Sequence, residues 1–190
     1  MAQQALDSYA PKAAPEAADI ACRAGCSFCC RSLLIEISVP EALALAETIK
    51  AMPEPHRAAT IARVRDADDR TRGLTMLQRM QARVACPLLQ NDRCSAYDSR
   101  PLSCRAAVSL DANACEQSFA GTPTPVPVPR AYWDALGVSV NALGAALAAR
   151  GLPLRSYEFN AALRIAIETE DAAGRWAGGE DIFAPAQCAR

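Results

Sequence analysis

Apolar residues recur along this chain mainly at intervals of three and four, the spacing that puts them on one side of a helix. The exception follows the first group of cysteines. There LLIEISV alternates, placing Ile35, Ile37 and Val39 on one side and predicting a short extended segment. Ser38, Pro40 and Glu41 then read as a helix start, with Ser as N-cap and Glu three residues on. That helix is expected to run to about Ala51, with Leu43, Ala46 and Ile49 inward, and MPEP ends it. A second helix is expected from about His56 to Arg70. Leu74, Leu77, Met80 and Val84 predict a third that delivers the chain to Cys86.

Residues 86 to 105 carry no sustained period and read as a loop around ligands. A short helix from about Asp111 to Phe119 carries Cys115. GTPTPVPVP, with proline at every second position near its end, predicts a stiff, extended linker over 121–129. Beyond it, Trp133, Leu136, Val140, Leu143 and Leu147 mark a helix that stops at Gly151 before Pro153. Ser156 is a candidate cap for the next, with Phe159, Leu163, Ala166 and Ile167 inward, and a last turn or short helix holds Trp176. Residues 1–18 have no apolar period and are expected to be loose. The predicted fold is mostly α: a compact helical domain with an irregular cysteine-rich core over 19–120, a short extended segment, and a helical tail over 130–190 that packs on the same domain.

Composition strengthens this picture and removes alternatives. The 190 residues are half hydrophobic with only 5% aromatic, which favours helices over a sandwich or barrel. A net charge of -1, with both signs interspersed, lacks the footprint of a nucleic-acid binder. The longest weakly polar stretch, ALGVSVNALGAALAA, is short and contains Asn141 and two glycines, so no membrane span is expected. MAQQALDSYAPKAAPEA lacks a basic start followed by an apolar run, which leads to the expectation of a cytoplasmic protein.

Cysteine usage changes the picture most. There are nine cysteines and one histidine. An odd count in an expected reducing compartment points to metal ligation rather than a disulfide framework. Eight fall in two blocks: Cys22, Cys26, Cys29 and Cys30, then Cys86, Cys94, Cys104 and Cys115. Cys188 stands apart and is expected to be a bystander. If CRAGCSFCC were one helix its thiols would share a face, but Cys22 and Cys30 would lie about 12 Å apart along the axis. One zinc ion, with sulfurs about 2.3 Å away, cannot collect all four. Gly25 can turn the chain and leave Cys26 and Cys29 as a chelating pair. Adjacent Cys29 and Cys30 point in different directions, which favours two neighbouring metals or one polynuclear cluster; the alternative for Cys30 is a buried thiol. The second block offers single cysteines, unlike the close pairs of zinc ribbons. With a single histidine, which stands at a helix start and is not expected to be a ligand, the donor set is soft thiolate.

A CxxxCxxCC block followed by CPLL, CSAYDSRPLSCR and a further cysteine resembles the YkgJ-type cysteine-cluster family of zinc- or iron-chelating domains. The resemblance spans about Cys22 to Cys115 and departs in the three-residue gap between Cys22 and Cys26. It implies that all eight cysteines bind metal. A related domain in flagellin lysine N-methylase implies an iron–sulfur cluster. Tyr97, Arg100 and Arg105 are candidates to donate hydrogen bonds to thiolates or offset cluster charge; alternatively Arg100-Pro101 builds a turn and Tyr97 packs. The expected function is therefore metal binding through eight cysteines, with an iron–sulfur cluster (4Fe-4S favoured) for electron transfer, sensing or cluster handling. The alternative is a structural zinc domain that serves protein interaction. An enzyme related to the methylase and cuprous copper storage rank below these, since no glycine-rich nucleotide loop or Ser/His/Asp set is present. Metal ions are the expected partners, alongside a protein partner that the residues do not specify.

Overall fold

A computed structural model describes residues 19–32 and 34–188, so the expectation for 1–18 lies outside the described residues. Nine α-helices and four two-residue strands are found among them, confirming a mostly α fold. The chain divides into two compact units, each assembled from separated pieces of sequence.

One unit comprises Cys30–Gln90, Cys94–Ser99 and Leu154–Arg190. Strand β1 (Glu36–Ile37) leads directly into α2 (Val39–Lys50), α1 being the short helix Phe28–Arg31. The Ser38 backbone N–H and hydroxyl both donate to the Glu41 carboxylate, at 2.8 and 2.6 Å, so the predicted capping pair forms. Helix α3 (His56–Thr71) and α4 (Met76–Ala82) follow. Much later the chain returns as β4 (Tyr157–Glu158), α8 (Phe159–Glu168) and α9 (Ala172–Ala177). β4 pairs antiparallel with β1, Glu36 opposite Glu158 and Ile37 opposite Tyr157. This register sets α8 down on α2 and α3. Ile37, Leu45, Ile49 and Val64 then share one core with Phe159, Leu163 and Phe183. Each such side chain contributes about 1.5–3 kcal/mol on burial.

Two expectations fail in this unit. Leu77 and Met80 of α4 are exposed, and Arg79 is the residue that faces inward, in an ion pair with Glu158 at 2.8 Å. Ser156 does not cap α8. The Glu158 carboxylate does, accepting from the Ala161 N–H at 2.7 Å, because Tyr157 and Glu158 are held in the strand pair.

The other unit comprises, among the described residues, 19–29, Asn91–Arg93 and Arg100–Pro153. It contains α5 (Leu102–Ala106), α6 (Ala112–Ala120) and α7 (Arg130–Ala148). Asp111 caps α6 by accepting from the Asn113 and Ala114 N–H groups. Helix α7 packs on α5 through Tyr132 and Ala135 against Leu102 and Ala106, with Leu136 and Leu143 at the margin. Trp133 and Val140, expected inward, are exposed. Tyr132, Ala135 and Ser139, each one position earlier round the helix, are buried instead.

Candidate metal centre

Cys22 lies in extended chain that is pinned to the segment before α6. The Ala21 N–H donates to the Ser109 carbonyl at 2.9 Å, and the Ser109 N–H donates to Cys22 Sγ at 3.3 Å. Gly25, at φ +92°, then reverses the chain and lets the Cys26 N–H reach the Arg23 carbonyl at 2.9 Å. The extra residue between Cys22 and Cys26 is thus absorbed in a turn that favours glycine. Only Phe28–Arg31 is helical, so CRAGCSFCC is not one continuous stripe.

The aromatic ring of Phe28, next to Cys29, contacts Phe119 with centroids 6.2 Å apart. Phe119 lies four residues after Cys115 on α6, hence on the same helix face. Ser27 donates to Asp92 at 2.6 Å, fixing the same stretch to the tight turn of the β2 (Leu89–Gln90) and β3 (Arg93–Cys94) hairpin. Burial pushes the Cys22 thiol above its ordinary value. The bond from Ser109 opposes this, and the neighbouring thiols of Cys26, Cys29 and Cys115 add to the rise.

Cys30, Cys86 and Cys94 belong to the unit built around α2, α3 and α8. The Cys86 N–H donates to the Cys30 carbonyl at 2.7 Å. Cys86 is part of the apolar core, and Cys30 and Cys94 pack against it. The Ser95 N–H reaches the Leu88 carbonyl at 2.8 Å, which holds Cys94 alongside the Cys86 turn. Arg63 approaches this group: its Nε–H donates to the Pro87 carbonyl at 2.8 Å, and the Cys86 thiol acts on its charge. Desolvation lowers the Arg63 pKa, an effect the nearby Cys86 opposes. Nothing in the local sequence singles out Arg63 or Ser109. Both reach a cysteine through folding across many residues.

Cys104 is half-buried on α5. Arg105, buried beside it, donates from Nε to the Arg100 carbonyl at 2.9 Å and so closes the turn that starts α5. Tyr97 is 59% exposed. None of the nine cysteines is in a disulfide. Cys188 lies in the wall of a cavity of about 210 Å³ with Glu36, Arg79 and Glu158, and the single histidine, His56, is exposed. Among the described residues, no group of three or more His, Cys, Asp or Glu side chains is already gathered closely enough to hold an ion. The chemistry of the donor set, several reduced thiols with no histidine among them, fits a thiophilic metal.

Residues 21–120 match the family model described as "CxxCxxCC: Putative zinc- or iron-chelating domain". The chain belongs to this CxxCxxCC family. The match covers both cysteine blocks and stops at the end of α6, before the proline-rich segment. No curated protein and no solved structure matches the chain. Metal binding is the property that membership supports, and the family's description names zinc and iron. Among the described residues, no helix is long and apolar enough to cross a membrane.

Proposed function

We propose that this CxxCxxCC-family protein holds iron–sulfur chemistry through Cys22, Cys26, Cys29, Cys30, Cys86, Cys94, Cys104 and Cys115, in the service of electron transfer, sensing or cluster handling. The observation that carries the reading is the donor set. Eight thiols exceed the four of one tetrahedral zinc site, none of them is in a disulfide, and the chain has a single histidine. A 4Fe-4S cluster is the favoured form, and it supplies one-electron redox chemistry when bound. The chain's own residues orient the thiols and set their surroundings. The Ser109 N–H donates to Cys22 Sγ, an interaction that stabilises thiolate charge, and Arg63 places a cation near Cys86. Arg105 holds the Cys104 turn in place through the Arg100 carbonyl.

Anaerobic purification tests the proposal. Brown protein with broad absorbance near 400 nm that bleaches on reduction, together with stoichiometric iron and sulfide, is expected. Colourless protein with stoichiometric zinc would overturn it in favour of a structural zinc domain. In that case chelation unfolds the chain without any redox signature, since zinc binding of ~10–16 kcal/mol rivals the stability of a whole domain.

A further inference from the structure

We propose that Arg63 is the positioning residue of the Cys86 donor: its guanidinium clamps the turn that carries this cysteine and supplies the positive charge that offsets a metal-bound thiolate there. This rests on the metal-binding reading and adds to it a residue that is not itself a ligand.

The clamp is made entirely with neutral acceptors. Arg63 Nε donates to the Pro87 carbonyl at 2.8 Å, and a terminal nitrogen donates to the Thr60 hydroxyl at 2.9 Å. Thr60 is fully buried on the same helix, and its hydroxyl in turn donates to the His56 carbonyl at 2.9 Å. With the Gln90 amide in the orientation that satisfies both groups, its oxygen accepts from both terminal nitrogens of Arg63. The planar fork thus grips the chain at Pro87 and again at Gln90. Between these points the Leu89 N–H donates to the Cys86 carbonyl at 3.0 Å, so the backbone of Cys86 is held with them. Every residue of the clamp lies in one compact unit.

The charge is the second observation. Arg57, Arg65, Arg79 and Arg164 each meet a carboxylate within 2.8 Å. Among the described residues, Arg63 meets none, and the charged group that acts on it is the Cys86 thiol. A half-buried guanidinium without an anion is costly to keep out of water. A metal holds its sulfur ligand as thiolate. Loading the site therefore gives Arg63 the counter-charge that the fold otherwise withholds. Lysine would bring the charge without the fork, and a neutral side chain neither, which makes the two contributions separable.

The test compares the full chain with R63K, R63Q and R63M, each purified anaerobically. Bound iron and zinc are measured after competition with graded EDTA. R63M and R63Q are expected to hold metal at least ~10-fold more weakly than the wild type, and R63K within ~3-fold of it. In the metal-free chain, hydrogen exchange at the Leu89 amide should be at least ~10-fold faster in R63M than in the wild type, which reads the clamp without any metal. Unchanged affinity in R63M would overturn the proposal, as would an R63K loss equal to that of R63M, the mark of a purely structural role, or unchanged exchange at Leu89. If R63M fails to fold by circular dichroism, R63Q, which can still donate to the Pro87 carbonyl but carries no charge, decides the affinity comparison against R63K. A wild-type chain that holds no metal as purified and takes up neither Zn(II) nor Fe(II) would overturn the metal-binding reading and this inference with it.

Discussion

Replacing Arg79 by methionine removes the cation from a pair in which both side chains are almost completely buried, at 3% and 7% exposure. Truncating one partner of a buried ion pair costs about 3–5 kcal/mol, because the remaining charge stays desolvated. Two features of this site lower that figure. Glu158 keeps the Ala161 N–H at 2.7 Å as a partner, and Arg79 Nε already lacks a hydrogen-bond acceptor, so its removal relieves a penalty of about 1–3 kcal/mol. The expected loss for R79M is therefore about 2 kcal/mol. E158Q strands the guanidinium and weakens the cap of α8, so its loss should be larger, about 3–5 kcal/mol. The double variant R79M/E158Q leaves no unpaired charge and should lose clearly less than the two single losses combined. Urea unfolding of the metal-saturated chain under reducing conditions, followed by far-UV circular dichroism, measures all three. An R79M loss below about 1 kcal/mol, or strict additivity in the double variant, would refute the assignment of this pair to a desolvated, mutually dependent site.

Leu163→Ala empties a fully buried position between α8 and its neighbours and should cost about 2–5 kcal/mol in the same assay. Gly25→Ala meets no atom within 4 Å, so its expected cost of about 1–2 kcal/mol comes only from the φ of +92°, and it should also weaken metal retention measured by chelator competition. Burial raises the Glu168 carboxyl, but hydrogen bonds from Arg65 and Arg164 outweigh it and hold the group below its ordinary value of 4.5. Its stabilisation is thus present above the unfolded carboxylate range and lost as pH falls through the lower folded value, and E168Q should flatten that acid limb of a stability–pH profile. Burial, then the Glu36 carboxylate, pushes the Cys188 thiol up to about 11. At pH 8 it should hold about 100-fold less thiolate than a thiol of ordinary value 9.0, so iodoacetamide labelling should be slow, rise with pH through 11, and quicken in E36Q.

Local signals were the readable part of this fold. Ser38, Pro40 and Glu41 lie within four residues, and their cap forms as the sequence predicts. Asp111 and the His56–Thr71 helix are equally self-contained. The failures are positions whose environment comes from far along the chain. Arg79 is inward because Glu158, 79 residues later, supplies its counter-charge, so the apolar period of Leu77 and Met80 faces water. Trp133 is outward while its neighbour Tyr132 takes the place against Leu102 and Ala106. The β2–β3 hairpin falls in a stretch whose lack of apolar period predicts loop, although Asn91 and Asp92, both at positive φ, are residues suited to such a turn. At the candidate site, the turn at Gly25 and the divergence of Cys29 from Cys30 were legible from spacing. Ser109 and Arg63 were not, since an isolated serine or arginine carries no local mark of the thiol it will meet.

The core around Leu45, Ile49 and Val64 is closed by Phe159 and Leu163, about a hundred residues further along the chain. At a synthesis rate of about 5–20 residues per second, that apolar face waits roughly 5–20 s on the ribosome before its cover exists. Cys30 has emerged before this interval begins, and Cys86 and Cys94 emerge during it. Newly made chains are therefore at their most vulnerable to oxidation and aggregation after the cysteine blocks are exposed and before α8 arrives. A chain cut at residue 120, where the family match ends, would remain in that state permanently.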